Sequence, residues 1–375
     1  MTPAPRLGIA EIKPQLVRRM GELVAQLCPG ARREGDHWVA PNPRRAEERG
    51  GSFIVWKNGA WKEYDAGDAE KGDVIDLIIY TGQAADRAGA LKWAKDWLGI
   101  SGATAPEIVK LQAEAKAEDA RARLAEARRR EQLVKLARGL WLGAGELVPG
   151  TPAWIYLEDA RGIPLQRLVR DGGLRSLRAH PRLKYQWPAP DDTPVEWRAR
   201  RPRSGEEFFP ALIASMSPIG GGMNSGLHRT YLARDGLSKA RVIKAKKMIG
   251  QQLGCAIKVW RGESGLSASE AERKKFKGPV AITEGIENAL SIAASAPEYR
   301  VWACGSLAGL CSVEWHACVS EFVIFKDNDP ELLPTGKPHP AHAAIAELAA
   351  RLAQRGPVKI AQAPIGKDAN ELLNA

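Results

Sequence analysis

The chain has 375 residues, 44% hydrophobic and 26% charged, with a formal net charge of +11. That length suits two or three domains of a globular protein and is too great for one small core. No apolar run reaches membrane-spanning length, and the opening MTPAPRLGIAEIKPQLVRRM has no signal-peptide core, so no spanning helix is expected and the cytoplasm is the expected location.

The cysteines, Cys28, Cys255, Cys304, Cys311 and Cys318, form no CxxC pair. Free thiols in a reducing compartment fit this better than a disulfide framework. The charge is uneven: residues 1–100 carry 15 Lys/Arg against 14 Asp/Glu, residues 101–275 carry 32 against 19, and residues 276–375 carry 8 against 11. A basic middle joined to a mildly acidic end suits a polyanion held beside carboxylates, with nucleic acid the first candidate; solvated basic helices would give the same count.

Residues 1–100 read as a small α+β unit. A helix is expected over Ile12–Cys28, short strands at His37–Val39, Ser52–Trp56 and Trp61–Tyr64, a helix from about Asp73 and another over Ala85–Leu98. Residues 106–142 are rich in Ala, Glu, Lys, Arg and Leu and have no proline after Pro106, which predicts one long charged helix within a connector, 101–145. Residues 146–277 mix strand and turn signals and carry the basic excess.

From Gly278 the pattern changes. Strands are expected at Val280–Ile282, Arg300–Ala303, Glu321–Phe325 and Val358–Ala361. Helices are expected at Glu287–Ala294, Leu307–His316, Ala341–Gln354 and Ala369–Leu373. Strands alternating with helices predict a parallel sheet with helices on both faces, and such sheets gather functional groups at the carboxyl ends of their strands.

Three of those ends carry acids: Glu284 in TEG, Asp327 and Asp329 in FKDNDP, and Asp368 in GKDAN. Asp327 and Asp329 alternate on an extended segment and can share a face. Converging carboxylates repel unless a cation lies between them, and hard oxygen ligands with open positions suit Mg²⁺ or Mn²⁺. Such ions serve phosphoryl transfer. DNDP alone would also serve as a turn and helix cap.

TEGIENAL, FKDNDP and GKDANELL together resemble the Toprim domain, the catalytic unit shared by primases, topoisomerases and some nucleases. The likeness covers residues 278–375 and lies nearest to phage- and plasmid-type primases. It implies that Glu284, Asp327 and Asp329 are catalytic metal-binding acids and that Asp368 serves a second metal position. Two positions depart from the pattern, Asn288 and Asn370, where bacterial primases usually carry acids; both changes remove negative charge.

In the middle region, GLHRTYLARDG reads as a strand, and Lys244, Lys246 and Lys247 form a dense basic cluster. Template strand or triphosphate needs such cations along its path. The spacing resembles the basic N-terminal subdomain of a primase core, which implies that Arg229, Lys244, Lys246 and Lys247 bind template or nucleotide. His228 is expected to be a structural strand residue.

Residues 1–100 resemble the zinc ribbon at the front of such primases, through the SF strand, the GAW turn and GDVIDLI. The ligands are missing: Ala40-Pro41-Asn42-Pro43 stands where the family has Cys and His, His37 alone cannot hold zinc, and Asp65 and Asp68 are poor substitutes. No zinc is expected, and a core with Trp38, Phe53, Trp56 and Trp61 takes its place.

Cys304, Cys311 and Cys318 read as packing residues, and His339 and His342 as surface residues. Trp141, Trp154, Trp187 and Trp197 could stack on bases, with core packing expected for at least the first two. No GxxxxGK[ST] loop occurs, so a separate replicative helicase is the expected partner.

The fold expected is therefore an α/β and α+β multidomain chain. It comprises a ribbon-like domain (1–100), a helical connector (101–145), a basic primase-core subdomain (146–277) and a Toprim domain (278–375). The function the resemblance implies is that of a DNA primase of a phage or other mobile element. It would make RNA primers on single-stranded DNA from ribonucleoside triphosphates. A Toprim nuclease and a single-strand-binding accessory protein with a decayed site are the alternatives.

Overall fold

The chain divides into two units, Met1–Glu126 and Ala127–Ala375. The computed structural model describes residues 7–45, 51–64, 70–171, 174–190, 192–333, 336, 338–364, 366 and 368–374. Asp65 and Asp68 lie outside the described residues.

The first unit opens with two helices, α1 (Ile9–Arg18) and α2 (Met20–Leu27), where the sequence predicts one. Ile12, Leu16, Met20, Leu23, Val24 and Leu27 are all buried, so the apolar stripe continues across the break. Periodicity cannot register the one residue, Arg19, that leaves helical dihedrals. Its guanidinium turns to Glu22 in the first turn of α2, Nε to Oε2 at 3.0 Å.

A meander follows: β1 (Arg32–Glu34), β2 (His37–Ala40), β3 (Phe53–Trp56), β4 (Trp61–Glu63) and β5 (Lys71–Gly72), antiparallel and paired in chain order. Asp73 then caps α3 (Val74–Tyr80), accepting from the N–H groups of Ile75 and Asp76. After α3 comes α4 (Arg87–Leu98). Phe53, Trp61 and Tyr80 form the aromatic centre, with ring centroids 4.4–5.4 Å apart. Trp38 packs at the edge of this core; Trp56 is only half-buried and lies outside it, contrary to expectation. The long helix predicted for 106–142 is α5 (Ala105–Leu142), and the division between units falls within it.

The second unit begins with β6 (Gly145–Glu146), α6 (Pro152–Glu158) and α7 (Leu165–Arg170). Next come β7 (Leu177–Gln186), α8 (Val195–Arg198), the long strand β8 (Glu206–Pro218), β9 (Gly226–Tyr231), β10 (Lys246–Gly250), β11 (Cys255–Arg261) and α9 (Ala268–Arg273). The alternating segment is β12 (Gly278–Thr283), α10 (Ile286–Ser295), β13 (Arg300–Ala303), α11 (Leu307–Cys311), β14 (Val319–Phe325), α12 (Pro340–Ala353), β15 (Val358–Ala361) and α13 (Ala369–Leu373).

β13, β12, β14 and β15 are parallel neighbours, as predicted. The sheet does not stop at residue 278. β11 pairs antiparallel with β13 on one side and with the end of β8 on the other. Among the described residues this gives one ten-stranded sheet, β10-β9-β8-β11-β13-β12-β14-β15, with β7 also on β8 and β6 on β7. One face carries α10, and its core includes Ile257, Ala281, Leu290 and Val301. The other carries α12, and its core includes Ile282, Trp302, Phe322 and Leu348.

The helix predicted over Leu307–His316 ends at Cys311. Trp315 is the physical reason. Its ring stands perpendicular to Phe322 with centroids 5.3 Å apart, and it lies so close to Gly356 that a β-carbon there would be 2.4 Å from it. Seating that ring draws the chain out of the helix.

Candidate active site at the tips of the parallel strands

β12 ends at Thr283, and the backbone stays tied to β13 beyond it. Cys304 N–H donates to the Thr283 carbonyl at 2.9 Å, and Gly305 N–H to the Glu284 carbonyl at 2.8 Å. Glu284 is thereby fixed at the open end of the sheet, with its side chain exposed, and Gly285 caps α10. The second group of acids follows β14. Lys326 N–H bonds the Ala361 carbonyl at 2.9 Å. Asn328 Nδ2 donates to the carbonyls of Ala363 and Gly366, each at 2.8 Å. Asn328 therefore moors the DND loop to the segment after β15.

The predicted acids differ in their surroundings. Partial desolvation at the sheet mouth raises the Glu284 carboxyl above its ordinary pKa; Lys246 opposes this and Asp329 adds to it. Glu284 thus feels the charges of Lys246 and Asp329. Asp327 receives a 2.8 Å hydrogen bond from Asn288 Nδ2, and Asn288 Oδ1 accepts the Asn370 N–H at 3.2 Å. Both asparagines are buried, at 3% and 5% exposure. Asn370 Nδ2 donates to the Arg161 carbonyl and to Ser291 Oγ. The two positions where the sequence lacks an acid are an amide relay between Asp327 and α13. Asp368 caps α13, its Oδ1 accepting from the N–H groups of Asn370 and Glu371 at 3.0 Å.

Among the described residues, no three or more His, Cys, Asp or Glu side chains stand in position to hold a metal ion. Glu284 and Asp329 have the chemistry for a hard cation, and the charge of Asp329 adds to the raised pKa of Glu284. Mg²⁺ takes one or two carboxylates and completes its shell with water and substrate phosphate, without an all-protein cage.

The basic cluster divides. β9 and β10 pair with Lys246 opposite Thr230 and Lys247 opposite Arg229, so successive residues face opposite sides of the sheet. Lys246 faces α10, its Nζ 3.1 Å from Glu287 Oε2. Lys247 faces away: its Nζ sits 3.7 Å from the centre of the Tyr185 ring and donates to the Gln186 carbonyl at 3.0 Å. Burial lowers the Lys247 pKa to about 8, with Arg229 and Lys244 adding to the effect.

Arg229 is half-buried and donates to the Met248 carbonyl at 3.4 Å. Its Nε is buried without a partner among the described residues. Lys244 lies in the loop before β10, where its N–H donates to Tyr185 Oη at 3.2 Å. Only Lys246 of the four predicted cations faces the carboxylates. His228 is buried as expected, with its pKa lowered to about 4 by burial and by Lys246.

Two further expectations are corrected. Trp187 is 2% exposed and packs edge-on to Tyr185, so no base can stack on it. His339 and His342 are half-buried rather than surface residues. His339 caps α12, and its Nδ1 lies 3.9 Å from Asp329 Oδ2.

Sequence reasoning missed Glu287, Lys239, Tyr156 and Arg161. Glu287 is 8% exposed, on a helix otherwise built of small and apolar residues; a lone acid in that setting was the available signal. Tyr156 Oη donates to its Oε1 at 2.8 Å, and Lys239 Nζ lies 3.7 Å from the same oxygen.

Residues 279–375 match the family model of the Toprim domain. The C-terminal part of the sheet is thus a Toprim domain, with Glu284, Asp327 and Asp329 at its strand tips. Residues 131–259 match a second model, described as Domain of unknown function (DUF7146). No curated protein matches the chain.

Among solved structures, the chain is similar to the zinc-binding and RNA polymerase domains of Aquifex aeolicus primase (13% identity, 97% of this chain and 82% of that one, TM-score 0.35). It is also similar to a DNA primase domain from Pseudomonas aeruginosa (13%, 64% and 74%, TM-score 0.37). The primase fragment of the bacteriophage T7 primase-helicase gives 16% identity over 43% of this chain and 61% of that one, with a TM-score of 0.29. At such identities and scores these likenesses carry no argument about activity.

Proposed function

We propose that the chain is a DNA primase that joins ribonucleotides on a single-stranded DNA template. The observation that carries the reading is the match of residues 279–375 to the Toprim domain, with Glu284 beyond the end of β12 and Asp327 and Asp329 beyond the end of β14. Carboxylates beside a cation at the carboxyl ends of parallel strands suit a site that handles phosphate.

In the reaction proposed, the 3′-hydroxyl of one ribonucleotide attacks the α-phosphate of the next, an O–P bond forms, and pyrophosphate leaves. Bound Mg²⁺ or Mn²⁺ would supply charge neutralisation and activation of the hydroxyl. Glu284 and Asp329 would hold it, with Asp327 kept in place by Asn288. Lys246 would neutralise phosphate on the carboxylate side. Arg229, Lys244 and Lys247, on the opposite side of the β9–β10 hairpin, would carry the template strand rather than the triphosphate. A separate helicase would deliver that template, and a phage or other mobile element is the source the sequence likeness favours.

The test is ribonucleotide incorporation on single-stranded DNA with Mg²⁺ or Mn²⁺, for the wild type, Asp327→Ala and Asp329→Asn. Short labelled RNA from the wild type, lost at least about a hundredfold in the variants while DNA binding persists, is the expected result. That factor corresponds to about 2.7 kcal/mol of transition-state stabilisation. Template cleavage without nucleotides would replace the reading with a nuclease. Binding without either reaction would replace it with an accessory protein.

A further inference from the structure

Glu287 sits in the first turn of α10, three residues after Glu284. Its carboxylate collects groups from three other segments. Lys246, the first residue of β10, places Nζ 3.1 Å from Oε2. Lys239, in the loop bridged to Leu232, places Nζ 3.7 Å from Oε1. Tyr156, on α6, donates its hydroxyl to Oε1 at 2.8 Å, and Arg161 Nε donates to that same hydroxyl at 3.1 Å. Burial by itself would raise the carboxyl. Lys246, Lys239, the helix backbone and the Tyr156 hydroxyl outweigh it and hold the group ionised, well below the usual carboxylate range.

Two ammonium groups, Lys239 and Lys246, share this one buried carboxylate, while Lys246 also feels Glu284 and Arg161 also feels Asp368. His228, packed nearby, is held neutral. A purely structural ion pair gains little from a second cation, because each must be stripped of water and the two repel. Burial lowers the Lys239 pKa, and Lys246 lowers it further, against the pull of Glu287. The two lysine side chains nevertheless remain 33% and 38% exposed, and the charge of Lys246 reaches Glu284. Two adjacent ammonium groups, partly open to solvent and beside a candidate metal-binding carboxylate, fit an anion with several charges in a row.

We propose that Glu287 is a positioning residue that holds Lys239 and Lys246 as a paired-ammonium clamp for the polyphosphate chain of a nucleotide bound beside Glu284. The proposal rests on the reading of this mouth as a nucleotide-handling site. Lysine stems are long and carry much rotamer entropy. Tethering both ammonium groups to one buried carboxylate orders them before the ligand arrives.

The experiment uses the full chain, inorganic pyrophosphate as probe, and EDTA to remove metal. Lysine acylation at pH 8 is read residue by residue by mass spectrometry across a pyrophosphate titration. In the wild type, Lys239 and Lys246 should be protected together, with one midpoint. In Glu287→Gln, which keeps the shape but drops the charge, both lysines should acylate faster than in the wild type, and the midpoint should rise about tenfold. In the Lys239→Met/Lys246→Met background, Glu287→Gln should add less than about twofold to the loss of pyrophosphate affinity measured by calorimetry. That non-additivity would not arise from a general structural defect.

Absence of protection in the wild type overturns the clamp, as does an unchanged midpoint in a Glu287→Gln protein that melts like the wild type. If Glu287→Gln fails to fold, Lys239→Met and Lys246→Met decide: loss of the other lysine's protection in each supports the clamp, and retention refutes it. Primer synthesis is scored separately. Primers without protection would sink the clamp alone, and protection without primers would sink the primase reading alone.

Discussion

Replacing Asn288 with Asp tests whether the amide relay keeps Asp327 in place by donating to it. Asn288 Nδ2 lies 2.8 Å from Asp327 Oδ1 at a position only 3% exposed. Aspartate would still accept the Asn370 N–H, but it would lose the donor and face a like charge. Two such charges about 4 Å apart repel by about 4 kcal/mol at an effective dielectric constant of 20. The new carboxyl can escape by taking a proton, at about 1.4 kcal/mol per pH unit above its ordinary pKa of about 3.9. That limits the penalty to about 4 kcal/mol at pH 7 and about 1.5 kcal/mol at pH 5. The sign is that of an acid whose folded-state pKa is raised: the folded state binds more protons, and stability falls as pH rises from about 4 to 7. A unit of this size shifts by about 2–4 °C per kcal/mol. Relative to the wild type, the Tm of Asn288→Asp should drop by about 8–16 °C at pH 7 and about 3–6 °C at pH 5. Millimolar Mg²⁺ should restore much of the pH 7 loss by lying between the two carboxylates. Equal losses at both pH values, or none at either, would refute the relay.

Two further outcomes follow from buried bases. Lys247, with its pKa lowered to about 8, should lose its charge between pH 7 and 9. Single-strand affinity should then weaken over that range, and its salt slope should fall by about one phosphate contact. Lys247→Arg should flatten the trend, and an unchanged slope in both proteins would remove Lys247 from the template path. His228, held near pKa 4 against about 6.5 unfolded, resists protonation in the native state. Its stabilising effect is complete above about pH 6.5 and is lost as pH falls toward 4, amounting to about 2 kcal/mol by pH 5. Urea midpoints of the wild type and His228→Gln between pH 7.5 and 5 should diverge accordingly; parallel curves would refute the assignment.

Local signals were legible wherever one segment decides its own conformation. Arg300–Ala303 and Val358–Ala361 are short β-prone runs bounded by turns, and both are strands with the expected limits. Asp73 and Asp368 cap the helices that follow them. What escaped depends on partners distant in sequence. Lys244, Lys246 and Lys247 form one cluster in the sequence, but the pleat of β10 sends Lys246 toward Glu287 and Lys247 toward Tyr185. Only the register with β9 assigns the faces. Glu287 shows no role in its own segment, because Lys239 and Tyr156 arrive from other segments. Asn288 and Asn370 read as losses of charge, whereas the Asn288 side chain donates to Asp327 and accepts the backbone N–H of Asn370. The strand ends carrying Glu284, Asp327 and Asp329 were legible, because each lies just after a β-prone run.

The sequence changes character at Gly278, but the sheet runs on across that point. β13 has all four residues buried and lies between β12 and β11. β11 precedes residue 278, and its Cys255, Ala256, Ile257 and Val259 are each at most 3% exposed. Ile257 and Val259 share a core with Ala289, Leu290 and Val301, and Ala256 packs on the opposite face with Trp302. Burying a Val or Ile side chain is worth about 1.5–3 kcal/mol. Removing β11 therefore removes several kcal/mol from both cores and leaves β13 as an unpaired edge, against a total stability of about 5–15 kcal/mol for a native domain. A fragment of residues 278–375 should lack a cooperative thermal transition and near-ultraviolet circular dichroism, while residues 127–375 should retain both. A cooperative melt from the shorter fragment would show that the Toprim sheet folds alone. Its absence would tie Lys239 and Lys246 to the carboxylates through one folding unit, in which the β8–β11–β13 pairing sets cation and acid in register before any ligand binds.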